Sequence, residues 1–166
     1  RLSLARKFSL KIAVHLLSFL LLQVPLSSNA SAPEFCNTIF QSQGIKVPVD
    51  LVSVFHLVEK GKAIQGAKGF KEGKLEKHFQ KHQAKFGVNN SAQYEKQAMD
   101  FLTSTREEDW VLTGPRTGAI FKFNRETNEF AVVSSQGILE TYFIPDPAVH
   151  GYSSNLEYFL RQYEKY

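Results

Sequence analysis

Two histidines four residues apart, His78 and His82, stand in a lysine-rich stretch that also holds Lys74, Lys77, Lys81 and Lys85. Imidazole titrates near neutral pH and can take or give a proton, while ammonium groups stabilise negative charge. At about 100° per residue, Leu75, Phe79, His82 and Phe86 fall on a helical stripe roughly 60° wide. His78 lies about 40° to one side of His82, and Lys85, Lys74 and Lys81 continue round that flank. Residues 59–88 contain eight lysines against three glutamates, a local charge of +5 that the −4 of residues 89–166 partly balances. Cleavage of RNA suits such a flank. Attack by a ribose 2′-OH on its phosphate needs a base, an acid for the leaving 5′ oxygen and positive charge for the phosphorane. Histidines on an apolar face are also common as hydrogen-bonded core residues, so a structural role stands beside the catalytic one. A histidine pair at i, i+4 also suits a metal, but Phe79 holds the place of a zincin glutamate and no acidic third ligand lies nearby in sequence. No metal or cofactor is expected.

The elements that must position this pair follow from periodicity. The pattern from Pro48 through Val49, Val52, Phe55 and Val58 suggests a short amphipathic helix. Gly61, Gly66, Gly69 and Gly73, interleaved with lysines, read as a flexible basic linker, with the compact domain beginning near Lys71. A helix is expected from Gly73 to Phe86, and a second one capped by Ser91 that buries Tyr94, Ala98, Phe101 and Leu102. Residues 103–117 read as a polar loop holding Trp110. The period then becomes two. Strands are expected over Ala119–Asn124, Glu129–Ser134 and Ile138–Ile144, joined by tight turns into an antiparallel meander. Ser154-Asn155-Leu156-Glu157 is a capping-box pattern that opens a last helix. The fold class is α+β: N-terminal helices packed on one face of a small twisted antiparallel β-meander, with a C-terminal helix.

At this level of detail the sequence resembles a known family. Lys81-His82-Gln83-Ala84-Lys85-Phe86-Gly87 is similar to the Lys-His-x-x-x-Phe-Gly helix end of colicin D-like ribonuclease domains. Arg116-Thr117-Gly118-Ala119-Ile120-Phe121-Lys122-Phe123-Asn124 resembles their Arg…Gly-x-x-x-Phe-Asn strand, and Glu129–Gly137 with Thr141-Tyr142-Phe143 resembles their last hairpin. The order and spacing agree over about residues 71–145. The same series is similar to the toxin tips of contact-dependent inhibition systems, in the barnase–EndoU–colicin-type group of metal-independent ribonucleases. The resemblance implies a tRNA-cleaving toxin with a cognate immunity protein as partner. It makes His82 the catalytic histidine and Lys81 its neighbouring lysine, with Thr141 where the family has serine and Phe143 where it has tryptophan. A second helix lysine of the family is Phe79 here, which puts the family's particular tRNA target in question; Lys77 or Lys85 is a candidate replacement. His78 belongs to the toxin-tip version and is a candidate second acid–base group. Arg116 and Thr117 are candidates to hold a phosphate. Lys74, Lys77, Lys85, Thr117 and Phe143 complete the expected RNA-binding set. The products would carry a 2′,3′-cyclic phosphate.

Composition bounds these readings. The chain has 166 residues and a formal charge of +4. Residues 1–30 hold four bases (Arg1, Arg6, Lys7, Lys11) and no acid, so the remainder has 16 of each and is neutral. Indiscriminate nucleic-acid binding is therefore not implied. A single cysteine, Cys36, excludes an internal disulfide framework. The basic start, the apolar run Ile12–Leu22 and the small residues Ser28-Asn29-Ala30 read as a secretory signal cleaved after Ala30, which leaves no membrane anchor and a secreted or periplasmic product. Residues 31–70 are then an N-terminal helix and linker, and residues 71–166 the ribonuclease-type domain. Two other functions fit the same residues: a secreted binding protein of this fold without activity, and a periplasmic protein whose lysine-rich helix binds an acidic partner. Catalysis requires that His82, Lys81, Thr141 and Arg116 converge within about one phosphate's reach, with Thr141 not turned to the sheet face opposite the helix.

Overall fold

The structure, a computed structural model, describes residues 49–166, so the signal segment 1–30, residues 31–47 and Cys36 lie outside the described residues. The chain runs α1 (Val49–Phe55), β1 (Glu59–Lys60), β2 (Lys68–Phe70), α2 (Leu75–His82) and α3 (Ser91–Thr103). It continues through β3 (Asp109–Thr113), β4 (Ile120–Asn124), β5 (Phe130–Val133), β6 (Ile138–Phe143), α4 (Pro147–His150) and α5 (Asn155–Lys165). The strands form one six-stranded sheet in the order β1-β3-β4-β5-β6-β2, antiparallel except for the β2–β6 pair. This is an α+β fold, as the change of period indicates.

The meander β4-β5-β6 lies where the alternation places it. Phe121 and Phe123 enter one core, while Lys122 between them turns to the opposite face. Two features differ from expectation. Helices cover both faces of the sheet instead of one. Leu51, Val54 and Phe55 of α1 join Leu156, Phe159 and Leu160 of α5 on the first face, around Trp110, Phe121, Phe123 and Phe130. Phe79 of α2 joins Tyr94, Ala98, Phe101 and Leu102 of α3 on the second, against Ala131, Val133, Leu139 and Tyr142. Residues 109–113, expected within a polar loop, form the interior strand β3, between β1 and β4. Its Trp110 is fully buried, edge-on to Phe55 at 5.2 Å, with the Arg125 guanidinium 4.7 Å from the ring centre. Polar flanks hid a five-residue strand, because Glu107 and Thr113 are exposed and Glu108 is half-buried at its ends.

The segment expected as a flexible linker supplies both edges of the sheet. Glu59 and Lys60 pair with Val111 and Trp110, Lys68 and Phe70 pair with Ile138 and Leu139, and Ile64 between them is buried. Gly137 is what admits β2. It takes φ +82°, its carbonyl accepts from the Lys68 N–H at 2.7 Å, and a Cβ there would sit 2.8 Å from the Gly66 carbonyl oxygen. Only glycine tolerates both the backbone angle and the approach.

The helix expected over residues 73–86 is shorter. Gly73 takes φ +74° outside it, α2 spans Leu75–His82, and Gln83–Lys85 tighten into a 3₁₀ turn before Gly87. In α3 the cap is Asn90, whose side chain accepts from the Gln93 N–H at 2.9 Å, and Ser91 is the first helical residue. The α5 cap is Ser154 as expected, accepting from the Glu157 N–H at 3.0 Å, although the Glu157 carboxylate returns to Ser153. No helix among the described residues is long and apolar enough to cross a membrane.

Candidate functional site

The site forms where β2 ends. β2 pairs only with Ile138 and Leu139, so the rest of β6 has no strand neighbour on that side. α2 fills the gap and runs along this edge. His78 stacks on Phe70 at 4.8 Å, His82 on Phe143 at 5.2 Å, and Phe86, just beyond the helix, on Tyr142 at 4.5 Å. The Tyr94 hydroxyl donates to the Tyr142 carbonyl, supplying a partner that β2 does not. Phe79 on the inward stripe is buried and Leu75 and Phe86 pack beside it, so the helical periodicity sets the rotation that brings His82 to the strand.

Thr141 pairs with Val132 and Phe143 with Phe130, so both belong to the sheet face that α5 covers, while Tyr142 between them is fully buried in the other core. Thr141 is thus turned to the sheet face opposite the one that α2 and α3 pack against, so the condition that it share the helix face is not met. His82 nevertheless meets Phe143, because α2 lies along an edge and an edge borders both faces. A bulge at this point, with Val133 opposite Leu139 and Val132 opposite Thr141, leaves Glu140 as the extra residue. Glu140 is exposed, and its charge acts on His78.

Both imidazoles are held below their ordinary proton affinity. His82 is lowered to about 4, chiefly because partial burial disfavours its cation, then by the charges of Lys81, His78 and Lys85. His78 is lowered by burial and by Lys81 and Lys74, with Glu140 pulling the other way. Near pH 7 each ring is therefore neutral, with one N–H and one free lone pair. The two rings lie 6.1 Å apart, and the His78 Nδ1 is buried with no hydrogen-bond partner.

The expected site residues divide into two groups. Lys81, His82, Lys85 and Phe143 share a groove of about 340 Å³, whose far wall is Ile144, Asp146 and Val149. Lys74 and Lys81 are exposed beside His78. Lys85 spans the groove, donating to the Ile144 carbonyl at 3.3 Å and lying 3.6 Å from Asp146. Lys77 is exposed on α2 and is not among the residues lining the groove. Arg116 and Thr117 are not brought to it either. The Arg116 guanidinium donates to the Lys165 carbonyl, and the Arg116 and Thr117 N–H groups both donate to the Tyr166 carbonyl. Thr117 lines a separate hollow with Ser134, Gln136 and Glu140, and its hydroxyl accepts from the Ala119 N–H. The loop before β4 meets the start of β6, whereas His82 meets its end, so strand length separates the two.

Three residues at the site escaped sequence reasoning. Phe70 lies in the segment expected to be a linker, and Glu140 is brought to act on His78 by a bulge. Asp146 had a usable signal: an aspartate between Pro145 and Pro147 is a helix cap, and its side chain accepts from the Ala148 N–H at 3.0 Å. Among the described residues no group of three or more His, Cys, Asp or Glu is placed to hold a metal ion. Compared with known proteins, the chain matches no family model and no curated protein.

Proposed function

We propose that the protein is an exported, metal-independent endoribonuclease that acts on tRNA. One observation carries this: a neutral, half-buried His82, fixed against Phe143, opens to a groove flanked by ammonium groups. In this reaction the His82 lone pair takes the 2′-hydroxyl proton as the 2′ oxygen bonds to phosphorus. The bond from phosphorus to the 5′ oxygen then breaks, and that oxygen takes a proton from the Lys81 ammonium. The His82 imidazolium afterwards releases its proton to water and Lys81 regains one from water, so no net proton is consumed. The same lysine stabilises the phosphorane charge. Burial is the chief cause of the lowered His82 affinity. A bound phosphodiester offsets the lesser one, the charges of Lys81 and Lys85, moving the imidazole part of the way toward the range where proton transfer is effective. His78 positions the His82 ring by stacking and touches no reacting atom. A cognate immunity protein and a signal at residues 1–30 belong to the same proposal. Mass spectrometry of the exported chain should find Ser31 near its N-terminus, and an intact Arg1–Ala30 segment would refute export by cleavage.

The test is incubation of the full chain with total tRNA in EDTA. Discrete fragments ending in 2′,3′-cyclic phosphate are expected, and a substrate with 2′-deoxyribose at the cut position should bind and stay whole. Intact tRNA, or cleavage that appears only with added metal, rejects the mechanism.

One observation favours a second function, binding RNA or another acidic partner without cutting it. Arg116, the expected phosphate clamp, is committed to the Lys165 carbonyl away from the histidines, and Thr141 is on the opposite sheet face. His82, Lys81, Thr141 and Arg116 therefore do not converge, and the nuclease function rests on His82 and Lys81 alone. RNA that is retained but uncut in the same experiment supports that function.

A further inference from the structure

We infer that the groove beside His82 is a guanine subsite, in which Asp146 and Lys85 read the base's Watson–Crick edge; this rests on the nuclease function proposed above. The groove is mostly apolar, and Val149 at its rim is 85% exposed, the most exposed large hydrophobic side chain among the described residues. Val149, Ile144 and Ala84 offer a flat base an apolar surface, and bases splayed out of single-stranded RNA are bound in such places. At about 340 Å³ the space lies at the small end of the range for small-ligand sites.

The polar groups in the groove select the base. The Asp146 carboxylate is oriented by one bond, from the Ala148 N–H, and retains free lone pairs on both oxygens. The Lys85 ammonium donates to the Ile144 carbonyl and retains two further N–H donors. Their mutual pairing is loose, at 3.6 Å with both side chains nearly half exposed, and such pairs contribute little. A ligand that presents donors to Asp146 and an acceptor to Lys85 therefore replaces the pair at small cost. Guanine presents N1–H and N2–H side by side with O6 next to them. It gives the carboxylate two parallel charge-assisted bonds and the ammonium one. Adenine and cytosine offer one donor group on that edge, and uracil offers a single N–H between two carbonyls. His82 lines the same groove, so a base held there brings its own ribose and phosphate to the imidazole.

The test is calorimetric titration of the full chain with the 3′-monophosphates of guanosine, adenosine, cytidine and uridine. Guanosine 3′-monophosphate should bind at least about tenfold more tightly than the others, the usual range for a bidentate base contact. Asp146→Asn should abolish that preference. Asparagine keeps the helix cap, and an unchanged melting temperature verifies the fold. Equal binding of the four nucleotides, or a preference that survives Asp146→Asn, overturns the subsite. RNA cleavage without guanine beside the cut overturns it as well and leaves the nuclease function standing. Guanosine preference in a chain that cuts no RNA bears out the groove and removes the nuclease function.

Discussion

The protein contains two partly or wholly buried charged clusters that obey opposite rules. On the second face of the sheet, Lys122 and Asp109 are both fully buried and saturated. The Lys122 ammonium donates to the carbonyls of Lys62, Leu102 and Ser104 at 3.0, 3.3 and 2.5 Å and lies 3.3 Å from Asp109. Asp109 also accepts from the Asn124 amide at 2.7 Å and the Ser104 hydroxyl at 2.5 Å. Burial pushes the Asp109 carboxyl up, but those hydrogen bonds and the charges of Lys122 and Arg106 outweigh it and hold the group below the usual carboxylate range. The histidine edge is the reverse. Its rings are partly buried, the His78 Nδ1 has no partner, and Lys74 and Lys81 add like charge that Glu140 offsets only in part. The first cluster spends its polar groups on joining β3, β4, the end of α3 and the segment before β2. The second leaves them unspent, which costs stability and keeps them available to a ligand.

Three substitution experiments would break or sharpen that contrast. The largest effect belongs to His82→Ala, which should lower the cleavage rate by roughly 10²–10⁴-fold, the worth of a positioned proton-transfer group. The variant loses the stack on Phe143, so a melting curve should accompany the assay and the rate be read per folded molecule. Wild-type cleavage by folded His82→Ala would make His82 a packing residue. The next effect is on stability. Lys122→Met removes one partner of a buried pair, takes from Asp109 its fully buried counter-charge and from the Lys62 and Ser104 carbonyls a donor, so urea unfolding should show a loss of about 3–5 kcal/mol. Activity per folded molecule should be unchanged. A loss below about 1 kcal/mol would mean that the network is not a stability element.

The smallest effect is on pH dependence. His82 has its folded-state proton affinity lowered to about 4 from an ordinary value of 6.5. Between those values the unfolded chain binds the extra proton, so stability falls as pH drops from 6.5 towards 4. In His82→Gln that part of the slope should disappear from melting curves collected across the window. An unchanged slope would place the acid sensitivity elsewhere.

Local pattern determined a large part of this molecule. Alternation of Phe121 and Phe123 against Lys122, and the Phe79–Phe86 helical stripe, are properties of neighbouring residues. They fix which side of each element is buried before any partner is chosen. The meander, the helices that flank it and the inward turn of His82 were legible for that reason. Partner choice was not. Glu59–Lys60 and Lys68–Phe70 are too short and too glycine- and lysine-rich to announce strands, and they become strands because β3 and β6 leave open edges for them. Trp110 lies in the sheet because α1 and α5 close over that face, not because its flanks are apolar. The membership of the site was decided the same way. Where β2 stops determines where α2 can lie against β6, and the length of β6 separates Arg116 from His82 while the turn after it brings Asp146 across from Lys85. Contacts of that kind join residues far apart in the chain, and no periodicity encodes them, since each depends on which edge or face the rest of the fold has left uncovered.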